Sequence, residues 1–436
     1  MKSFLHKIIP SKVFSFYHYC LAWCAALRFG FPSKSIVVIG VTGTKGKTSA
    51  VNYVWSVLTA GGVKTGIITT ANVRIGESEI MNPFHMTMPG RFKIQRFLRQ
   101  MVSEKCEVAI VETTSQGIMQ SRHIGIDYDL ALFTNLSPEH IDAHKTFENY
   151  KQAKAILFKV LSESAHKNFR GKEFPKMIVA NADSEHAAFF LNFPADKKTT
   201  YSIESESEHK AENITTSQAG AAFDLLGVHY ELSIPGVFNV YNALPAIAIG
   251  EAFGISSDLM KKGVQEMRLI PGRMEEIKEG QNFRVFVDYA HEKQSMTYVV
   301  EAGKTLKAPE GRVIILLGAE GGGRDKGKRP IMGEIVGKHA DIVICSNVDP
   351  YEDDPTPIVE DIAVAAEKEG KKRNENLFVI EDRREGIAKS LTIARPGDIV
   401  IITGKGAEQS ITIGGHATPW DDRLVVREEI RKLKAN

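Results

Sequence analysis

From Ser35 onward, short apolar runs alternate with stretches of helical periodicity, and this alternation constrains the fold most strongly. Runs such as SIVVIGVTG and CEVAIVETTS are continuously apolar, which is typical of strands buried in a parallel sheet. The intervening KTSAVNYVWSVLTAGG predicts a helix closed by glycines. A strand-then-helix order of this kind predicts parallel sheets wrapped by helices, and therefore an α/β fold.

A glycine-rich turn with a lysine, GVTGTKGKTSA, joins the first predicted strand to the first predicted helix. Glycines let backbone N–H groups turn towards phosphate oxygens, and the helix N-terminus adds the positive end of its dipole. We expect Lys47 to reach the terminal phosphates of a nucleotide and Thr48 to offer its hydroxyl to Mg²⁺. Val41 stands where the general phosphate-loop pattern has its first glycine. A tight strand-to-helix turn with a chance lysine therefore remains the alternative.

The 436 residues are enough for two or three domains. A second series of strand-like runs begins near Pro271, and the polar region between Lys167 and Pro235 predicts a β excursion. We predict a short N-terminal helical appendage (1–34), a central ATP-binding domain with a P-loop ATPase-type parallel sheet (35–271), and a Rossmann-like α/β C-terminal domain (272–436).

Composition excludes several classes of protein. Lys and Arg number 55 against 53 Asp and Glu, so no overall charge attracts nucleic acid or an acidic membrane. The four cysteines contain no CxxC pair, which disfavours a disulfide scaffold and a zinc ribbon and favours a reducing compartment. We expect a cytoplasmic monomer that binds small molecules and no nucleic acid.

The N-terminal segment is apolar and aromatic. Lys2, Lys7 and Lys12 flank the start of the segment FSFYHYCLAWCAALRFGF, which His18 and Arg28 interrupt. It is short and polar for a membrane span, and no clear small-residue cleavage site marks a signal peptide. We expect a helix packed on the next domain, with a membrane-surface helix as the alternative.

Polar residues follow two further predicted strands. Glu112 ends one strand, and the segment after the next contains His140, Asp142, His144 and Lys154. The carboxyl ends of parallel strands meet at one edge of the sheet, where enzymes with parallel sheets place their reactive groups. Carboxylate and imidazole beside a triphosphate suit a divalent cation. A single residue of this kind is more often structural; the cluster beside a phosphate loop favours a site.

Nine motifs in order, between residue 36 and about residue 410, resemble the Mur ligase family, most closely its UDP-N-acetylmuramoyl-tripeptide synthetases (MurE). They are TGTKGKTS, ETTSQGIMQSR, FTNLSPEHID, YKQAK, GVFNVYNALPA, PGRME, VDYAH, GGGRDKGKRP and GKGAE. The resemblance also implies that the family's N-terminal uridine-binding domain is missing or reduced to about 34 residues, which is short for an independently folding domain.

The resemblance implies an ATP-dependent ligase with Mg²⁺ as cofactor. Such an enzyme adds a diamino acid (meso-diaminopimelate or L-lysine) to UDP-MurNAc-L-Ala-D-Glu in peptidoglycan precursor synthesis. The acceptor carboxylate is activated as an acyl phosphate, which the amine displaces. A folylpolyglutamate synthetase-like ligase and a non-catalytic nucleotide-binding regulator are the alternatives.

The resemblance also assigns residues. The catalytic set is Lys47, Glu112, His140 and Lys154. Lys154 is expected to carry a carbamate derived from CO₂, and the Mg²⁺ ligands are Thr48, Glu112, His140 and the carbamylated Lys154. Residues expected at ATP are Gly43, Thr44, Lys45, Gly46, Lys47, Thr48, Ser49, Asn242, Arg273 and Asp288. The segment YKQAKAILF by itself predicts that Lys154 is a solvated lysine on a helix face.

Matches on the acceptor side are partial. The muramoyl-dipeptide is expected at Thr87, Thr114, Gln120 and Arg122, and the incoming amino acid at Arg324, Asp349, Gly404 and Glu408. Glu408 would take an ammonium group and Arg324 a carboxylate. Met88 replaces the second residue of the family's Thr-Thr pair. The family's Asp-Asn-Pro-Arg signature falls on Val348–Tyr351, so its bidentate arginine is lost and both diamino acids remain open.

Overall fold

A computed structural model describes residues 11–84, 86–138, 144–217 and 219–435. The chain divides into two compact units, one of residues 1–80 and 86–268 and one of residues 269–436 with residues 81–85. The three-part division into 1–34, 35–271 and 272–436 remains a prediction.

The first unit is built on a large sheet whose inner strands are parallel. Across the sheet the order is β11-β10-β9-β6-β1-β5-β2-β3-β4. Neighbours are parallel from β11 to β2, and β3 pairs antiparallel with β2. A separate antiparallel sheet of β12, β13 and β14 is the predicted β excursion. The strands are β1 Val37–Thr42, β2 Thr65–Ile68, β3 Asn72–Ile75, β4 Ser78–Met81, β5 Val108–Glu112, β6 Leu130–Phe133, β7 Lys167–Phe169, β8 Lys172–Phe174, β9 Met177–Asn181, β10 Lys197–Ser202, β11 His209–Lys210, β12 Glu212–Ser217, β13 Gly220–Leu225 and β14 Val228–Leu232.

Strands β1, β5 and β6 are buried along their whole length, because helices cover the sheet. The helices are α1 Ser11–Phe29, α2 Lys47–Ala60, α3 Arg91–Ser103, α4 Ser115–Met119, α5 Phe147–Glu163, α6 Ala187–Leu191, α7 Val237–Ala252 and α8 Ser257–Glu266. Helix α2 begins just after Gly46 and ends just before Gly61, as the glycine positions predict. It packs against α7 and α8.

Helix α1 packs through small residues. Ala22, Ala25 and Ala26 are buried, and Gly125 approaches so closely that a Cβ there would lie 2.4 Å from the Cβ of Ala26. The helix contacts α3. The expectation of a packed helix is thus confirmed for this face. Among the described residues, no helix is long and apolar enough to cross a bilayer.

The second unit is a six-stranded sheet of order β15-β16-β20-β17-β18-β19, parallel except for β15. Buried apolar clusters lie on both faces, one of them including Val336 and the other Val426. The predicted α/β fold is confirmed, whereas the β21–β22 hairpin has no counterpart in the prediction. The elements are β15 Glu275–Ile277, β16 Arg284–Val287, α9 Lys293–Leu306, β17 Val313–Leu317, α10 Lys328–His339, β18 Ile342–Cys345, α11 Pro355–Lys368, β19 Leu377–Val379, α12 Arg383–Thr392, β20 Ile399–Ile402, β21 Ser410–Ile413, β22 His416–Pro419 and α13 Asp422–Ala435.

Candidate active site

The turn between β1 and α2 needs two of its glycines. Gly43 and Gly46 have φ angles of 150° and 79°, which side chains disfavour. A Cβ on Gly43 would lie 2.0 Å from the hydroxyl oxygen of Thr134, and one on Gly46 would lie 2.7 Å from Oδ1 of Asn242. The structure therefore brings Asn242, on α7, directly against the phosphate-loop turn.

The segment after β6 fixes the shape of this turn. The backbone N–H groups of Thr44 and Lys45 donate to the carbonyl and side-chain oxygens of Asn135, each at 2.9 Å. The Thr134 hydroxyl donates to the Lys45 carbonyl at 2.8 Å. The Lys47 amine folds back over the turn and donates to the carbonyls of Gly43 and Thr44 at 3.0 and 2.9 Å. Ser49 follows in the first turn of α2 and is half-buried.

Thr48 and Glu112 place a hydroxyl and a carboxylate beside the turn. The Thr48 hydroxyl donates to Oε2 of Glu112 at 2.9 Å, and both residues are buried. The backbone N–H of Thr70 donates to the same carboxylate oxygen at 2.9 Å, and the hydroxyls of Thr70 and Thr87 are 2.8 Å apart. Hydroxyl and carboxylate oxygens are the ligands that Mg²⁺ prefers, so the donor set fits this ion.

The predicted His140, together with Asp142, lies outside the described residues. Within the described ranges, no group of three or more His, Cys, Asp or Glu side chains is arranged to hold a metal ion.

Lys154 lies on α5 with a relative exposure of 2%, so the solvated lysine predicted from its neighbours alone is wrong. Its amine donates to the Gly43 carbonyl at 2.7 Å and lies 4.5 Å from the centre of the Tyr150 ring. The Tyr150 hydroxyl is in turn 3.1 Å from the Thr44 hydroxyl. Helix α5 therefore directs the Lys154 amine to the phosphate-loop turn.

His144 joins the same cluster. Its Nε2 atom is 3.0 Å from the hydroxyl of Ser115, the first residue of α4. Burial lowers the pKa of His144, and the positive charge of Lys154 lowers it further. Sequence reasoning missed Ser115, although its position immediately after β5 and Glu112 is a usable signal.

Three of the residues predicted to bind the acceptor, Thr114, Gln120 and Arg122, lie at the two ends of α4 and just after it. Thr114 caps α4 with its side chain. The Arg122 guanidinium donates to the carbonyl of Met88 and to the side-chain oxygen of Gln120. Arg91 donates to the Gln120 carbonyl at 2.6 Å. Burial, with the nearby charge of Arg91, lowers the pKa of Arg122 to about 10. Arg91 was not predicted, because it lies outside the nine motifs.

The second unit has its own groups of predicted residues, at the carboxyl ends of its strands. The Arg273 guanidinium lies 4.7 Å from the centre of the Tyr289 ring. Asp288 follows β16 and accepts hydrogen bonds of 2.7 Å from the backbone N–H groups of Met274 and Ala290. Burial raises the pKa of Asp288, an effect that the Arg273 charge opposes.

A buried lysine pairs with two of the residues that are predicted to bind the incoming amino acid. The Lys405 amine, with no exposed side-chain surface, donates to Asp349 at 2.6 Å and to Glu408 at 2.7 Å. Burial opposes its charge, but Glu408 and Asp349 outweigh burial and raise the pKa of Lys405. Gly404 has a φ of 107°, and a Cβ there would lie 2.8 Å from Val348. Sequence reasoning missed Lys405, although it follows β20 just as Asp349 follows β18.

Arg324 lies beside the residue that replaces the signature arginine. Its guanidinium donates to the Tyr351 hydroxyl at 3.0 Å and pairs with Glu320 at 3.2 Å. Nearly half of its side chain is exposed. The position therefore keeps one guanidinium where the family signature implies two.

Two family models match the chain: the Mur ligase middle domain at residues 41–250, and the Mur ligase, glutamate ligase domain at residues 272–406. The chain belongs to the Mur ligase family. The expected reaction class, an ATP-dependent ligase that joins an amino acid to a carboxylate, is thereby confirmed.

Individual relatives agree with this assignment. A UDP-N-acetylmuramyl-tripeptide synthetase from Roseiflexus sp. is 35% identical over 95% of this chain and 82% of its own length. A UDP-N-acetylmuramoyl-L-alanyl-D-glutamate--2,6-diaminopimelate ligase from Bacillus velezensis is 36% identical over 93% of this chain and 80% of its own. A solved structure of a ligase with the latter name has a TM-score of 0.60 at 30% identity, covering 92% of this chain and 79% of its own.

Proposed function

We propose that this Mur ligase adds a diamino acid, either meso-diaminopimelate or L-lysine, to UDP-MurNAc-L-Ala-D-Glu with consumption of ATP. The observation that carries the proposal is the meeting of Lys47, Thr48, Glu112 and Lys154 at one glycine turn. Nucleotide binding at the turn alone would not require a buried lysine such as Lys154 on α5. The names of the relatives supply the acceptor, because several of them state this muramoyl-dipeptide.

The turn would hold the ATP phosphates on the backbone N–H groups at the start of α2, where the helix dipole favours negative charge. Lys47 would leave the carbonyls of Gly43 and Thr44 and neutralise the transferred phosphate. Asn242 contributes from α7, and Arg273 with Asp288 would contact the nucleotide from the second unit.

Mg²⁺ would bind at Thr48 and Glu112 and neutralise charge on the phosphates. The hydrogen bond between these two residues keeps both oxygens in place, and the Thr70 N–H fixes the carboxylate from the other side. His140 remains a proposed ligand on the strength of the resemblance.

Lys154 would act as a carbamate formed from its amine and CO₂ with release of one proton. Burying an ammonium is costly unless an anion pairs with it, whereas a carbamate is an anion that complements Mg²⁺. The low relative exposure of Lys154 supports a site in which a buried positive charge is disfavoured.

The acceptor would bind through Arg122, Gln120, Thr114 and Thr87, with Arg122 pairing with an anionic group. Its terminal carboxylate would attack the γ-phosphate, and the amine would then displace phosphate from the acyl phosphate. Alignment and charge neutralisation supply most of the catalysis in such a sequence.

The incoming amino acid would bind in the second unit. Glu408 is held by Lys405 and by the Tyr289 hydroxyl at 3.3 Å, so it would receive an ammonium group in a fixed orientation. Arg324 would receive a carboxylate. Asp349 and Gly404 would shape this site, Asp349 through its ion pair with Lys405. We further propose that the enzyme is a cytoplasmic monomer.

Phosphate release from ATP tests the proposal, with UDP-MurNAc-L-Ala-D-Glu supplied and each diamino acid added in turn. We expect release that requires both substrates. Phosphate release that does not depend on the dipeptide, or that requires a folate substrate instead, would exclude the muramoyl assignment. Nucleotide binding without turnover under any of these conditions would identify a regulator.

A further inference from the structure

The outer side of α1 is apolar and exposed. A helix that is apolar on all sides is normally covered on all sides, but among the described side chains of α1 only those on the alanine side are buried. Phe16 and Leu27 have relative exposures of 68% and 65%, as high as those of polar surface residues. The exposed large apolar side chains of α1 are Val13, Phe16, Tyr17, Tyr19, Trp23 and Leu27.

Positive charge lies beside this apolar side, on the neighbouring helix and at the end of α1. Helix α3, which packs beside α1, exposes Phe92 together with Lys93, Arg96 and Arg99. Arg28 at the end of α1 and Lys34 just beyond it are also exposed. We call these exposed side chains of α1 and α3, with Lys34, the α1–α3 face.

Acidic residues are absent from this region of the sequence. Neither α1 nor α3 contains an Asp or Glu, and no acidic residue precedes Glu77 in the chain. The whole chain is almost neutral, with a formal net charge of +2. The positive charge of the α1–α3 face is therefore a local feature rather than a consequence of overall composition.

We propose that the α1–α3 face docks on the surface of a lipid bilayer that contains anionic headgroups. Trp and Tyr side chains favour the headgroup level, and Phe and Leu side chains favour the acyl boundary below it. Lys and Arg beside them are attracted to lipid phosphates, by about fivefold in affinity for each cation. The apolar and cationic parts of the face thus match the two layers of a membrane surface.

Other occupants fit less well. A second copy of this chain would bring the same cations against each other, since a two-fold interface pairs each patch with itself. A nucleic acid would satisfy Arg96 and Arg99, but Val13 and Leu27 offer neither a ring for base stacking nor a hydrogen bond. A bilayer uses all of these side chains at once.

Flotation of the full-length protein with large unilamellar vesicles tests the proposal. We expect binding to phosphatidylcholine vesicles that contain about a third phosphatidylglycerol, and at least tenfold weaker binding to pure phosphatidylcholine vesicles. Binding to the anionic vesicles should weaken as salt is added, because the charge attraction is screened. Equal recovery with both vesicle types, or none with either, overturns the proposal.

Matched variants assign the binding to this face. Phe16→Ser with Leu27→Ser should reduce binding to anionic vesicles at least tenfold. Leu226→Ser with Leu259→Ser, which removes two exposed leucines elsewhere in the same unit, should leave it unchanged. Since these positions lie outside the catalytic and binding residues, phosphate release in solution should persist in both variants and report correct folding.

A second pair tests the charge. Arg96→Glu with Arg99→Glu should abolish the preference for anionic vesicles, and Lys197→Glu with Lys198→Glu, an equal charge change on β10, should not. Trp23 provides an independent signal, because a blue shift of its fluorescence on vesicles should vanish in Trp23→Phe. The variant Phe16→Ser with Leu27→Ser could instead lose dimerisation or RNA binding and still bind vesicles. That result would assign the face to a second copy or to RNA and would refute the proposal.

Discussion

The amines of Lys154 and Lys47 both donate to the carbonyl oxygen of Gly43, Lys154 at 2.7 Å and Lys47 at 3.0 Å. Two side chains that would each carry a positive charge therefore converge on one backbone atom, in a turn that we expect to receive ATP. Converting one of them to a carbamate would replace a repulsion by an attraction. The shared carbonyl thus gives a structural reason for modifying Lys154 rather than retaining it as an ammonium.

Replacing Lys154 tests this chemistry. We expect Lys154→Ala to lower kcat by about 100-fold or more, because a ligand of the magnesium site and its charge are lost. Short carboxylic acids such as acetate should restore part of the activity, since they supply the missing anion in the vacated space. Phosphate release with increasing acetate is the measurement.

Lys151 provides the control for that experiment. It lies one turn earlier on α5 and pairs with Glu148 at 2.7 Å. Lys151→Ala should keep kcat within about threefold of the parent enzyme and show no response to acetate. Full activity in Lys154→Ala would refute the carbamate role.

Thr48 tests the magnesium site separately from the lysine. Thr48→Val keeps the shape of the side chain but removes the hydroxyl that donates to Glu112. We expect kcat to fall about 100-fold and the Mg²⁺ concentration for half-maximal activity to rise. Thr48→Ser, which keeps the hydroxyl, should respond to Mg²⁺ like the parent. An unchanged Mg²⁺ requirement in Thr48→Val would exclude Thr48 as a ligand.

Gly46 separates backbone strain from crowding at the turn. Gly46 and Gly62 have similar φ angles of 79° and 72°, but only Gly46 has a neighbour that a new Cβ would strike, Oδ1 of Asn242. We expect both Gly→Ala variants to lose about 1 kcal/mol of stability. Only Gly46→Ala should weaken ATP binding, by about tenfold, because it displaces Asn242. Calorimetric titration with ATP measures this, and equal affinities in the two variants would contradict it.

His123 should make the protein sensitive to acid. Burial lowers the pKa of His123 to about 4, whereas an unfolded histidine has a pKa of about 6.5. Above pH 6.5 the residue is neutral in both states; below it the unfolded state takes up the proton first and is favoured. This group alone should therefore remove about 2 kcal/mol of the free energy of unfolding between pH 7 and pH 5.

Urea unfolding at those two pH values measures the effect. His123→Leu should flatten the dependence on pH, whereas His416→Leu, in the exposed β21–β22 hairpin, should keep it. The substitution loses no hydrogen bond at Nδ1 of His123, which is buried with no hydrogen-bond partner among the described residues. An identical loss of stability on acidification in parent and His123→Leu would show that other groups govern it.

Most of the first unit was predictable because its signals are local. The continuous apolar run at β1 and the glycines around Lys47 fix a strand, a turn and a helix before any long-range contact is considered. The burial of Lys154 was not predictable from its own neighbours, since it depends on α5 packing against a turn more than a hundred residues earlier.

The second unit shows the same limit. Asp349 and Glu408 were predictable from motifs, but the lysine that binds both was not, because its charge argued for the surface. Similarly, the sequence of α1 indicates an apolar helix without stating that its alanines pack inward and its aromatic residues face outward. Side-chain volume and the close approach at Gly125 decide that orientation.

Tyr351 tests the choice of amino acid. It stands where the family signature has an arginine, and its φ of 56° is equally strained for either residue, so the exchange adds no backbone cost. Tyr351→Arg should place a second guanidinium beside Arg324 and complete a clamp for a distal carboxylate. We expect the ratio of kcat/KM for meso-diaminopimelate to that for L-lysine to rise about tenfold or more.

The control removes only the hydroxyl that accepts from Arg324. Tyr351→Phe keeps the ring and adds no charge, so it should leave that ratio within about threefold of the parent. Because L-lysine lacks the distal carboxylate, its own kcat/KM should not improve in Tyr351→Arg, and the gain should appear chiefly in KM for meso-diaminopimelate. A ratio that is unchanged in Tyr351→Arg would mean that this position does not contact the end of the amino acid, and selectivity would then have to reside at Glu408 and Arg324.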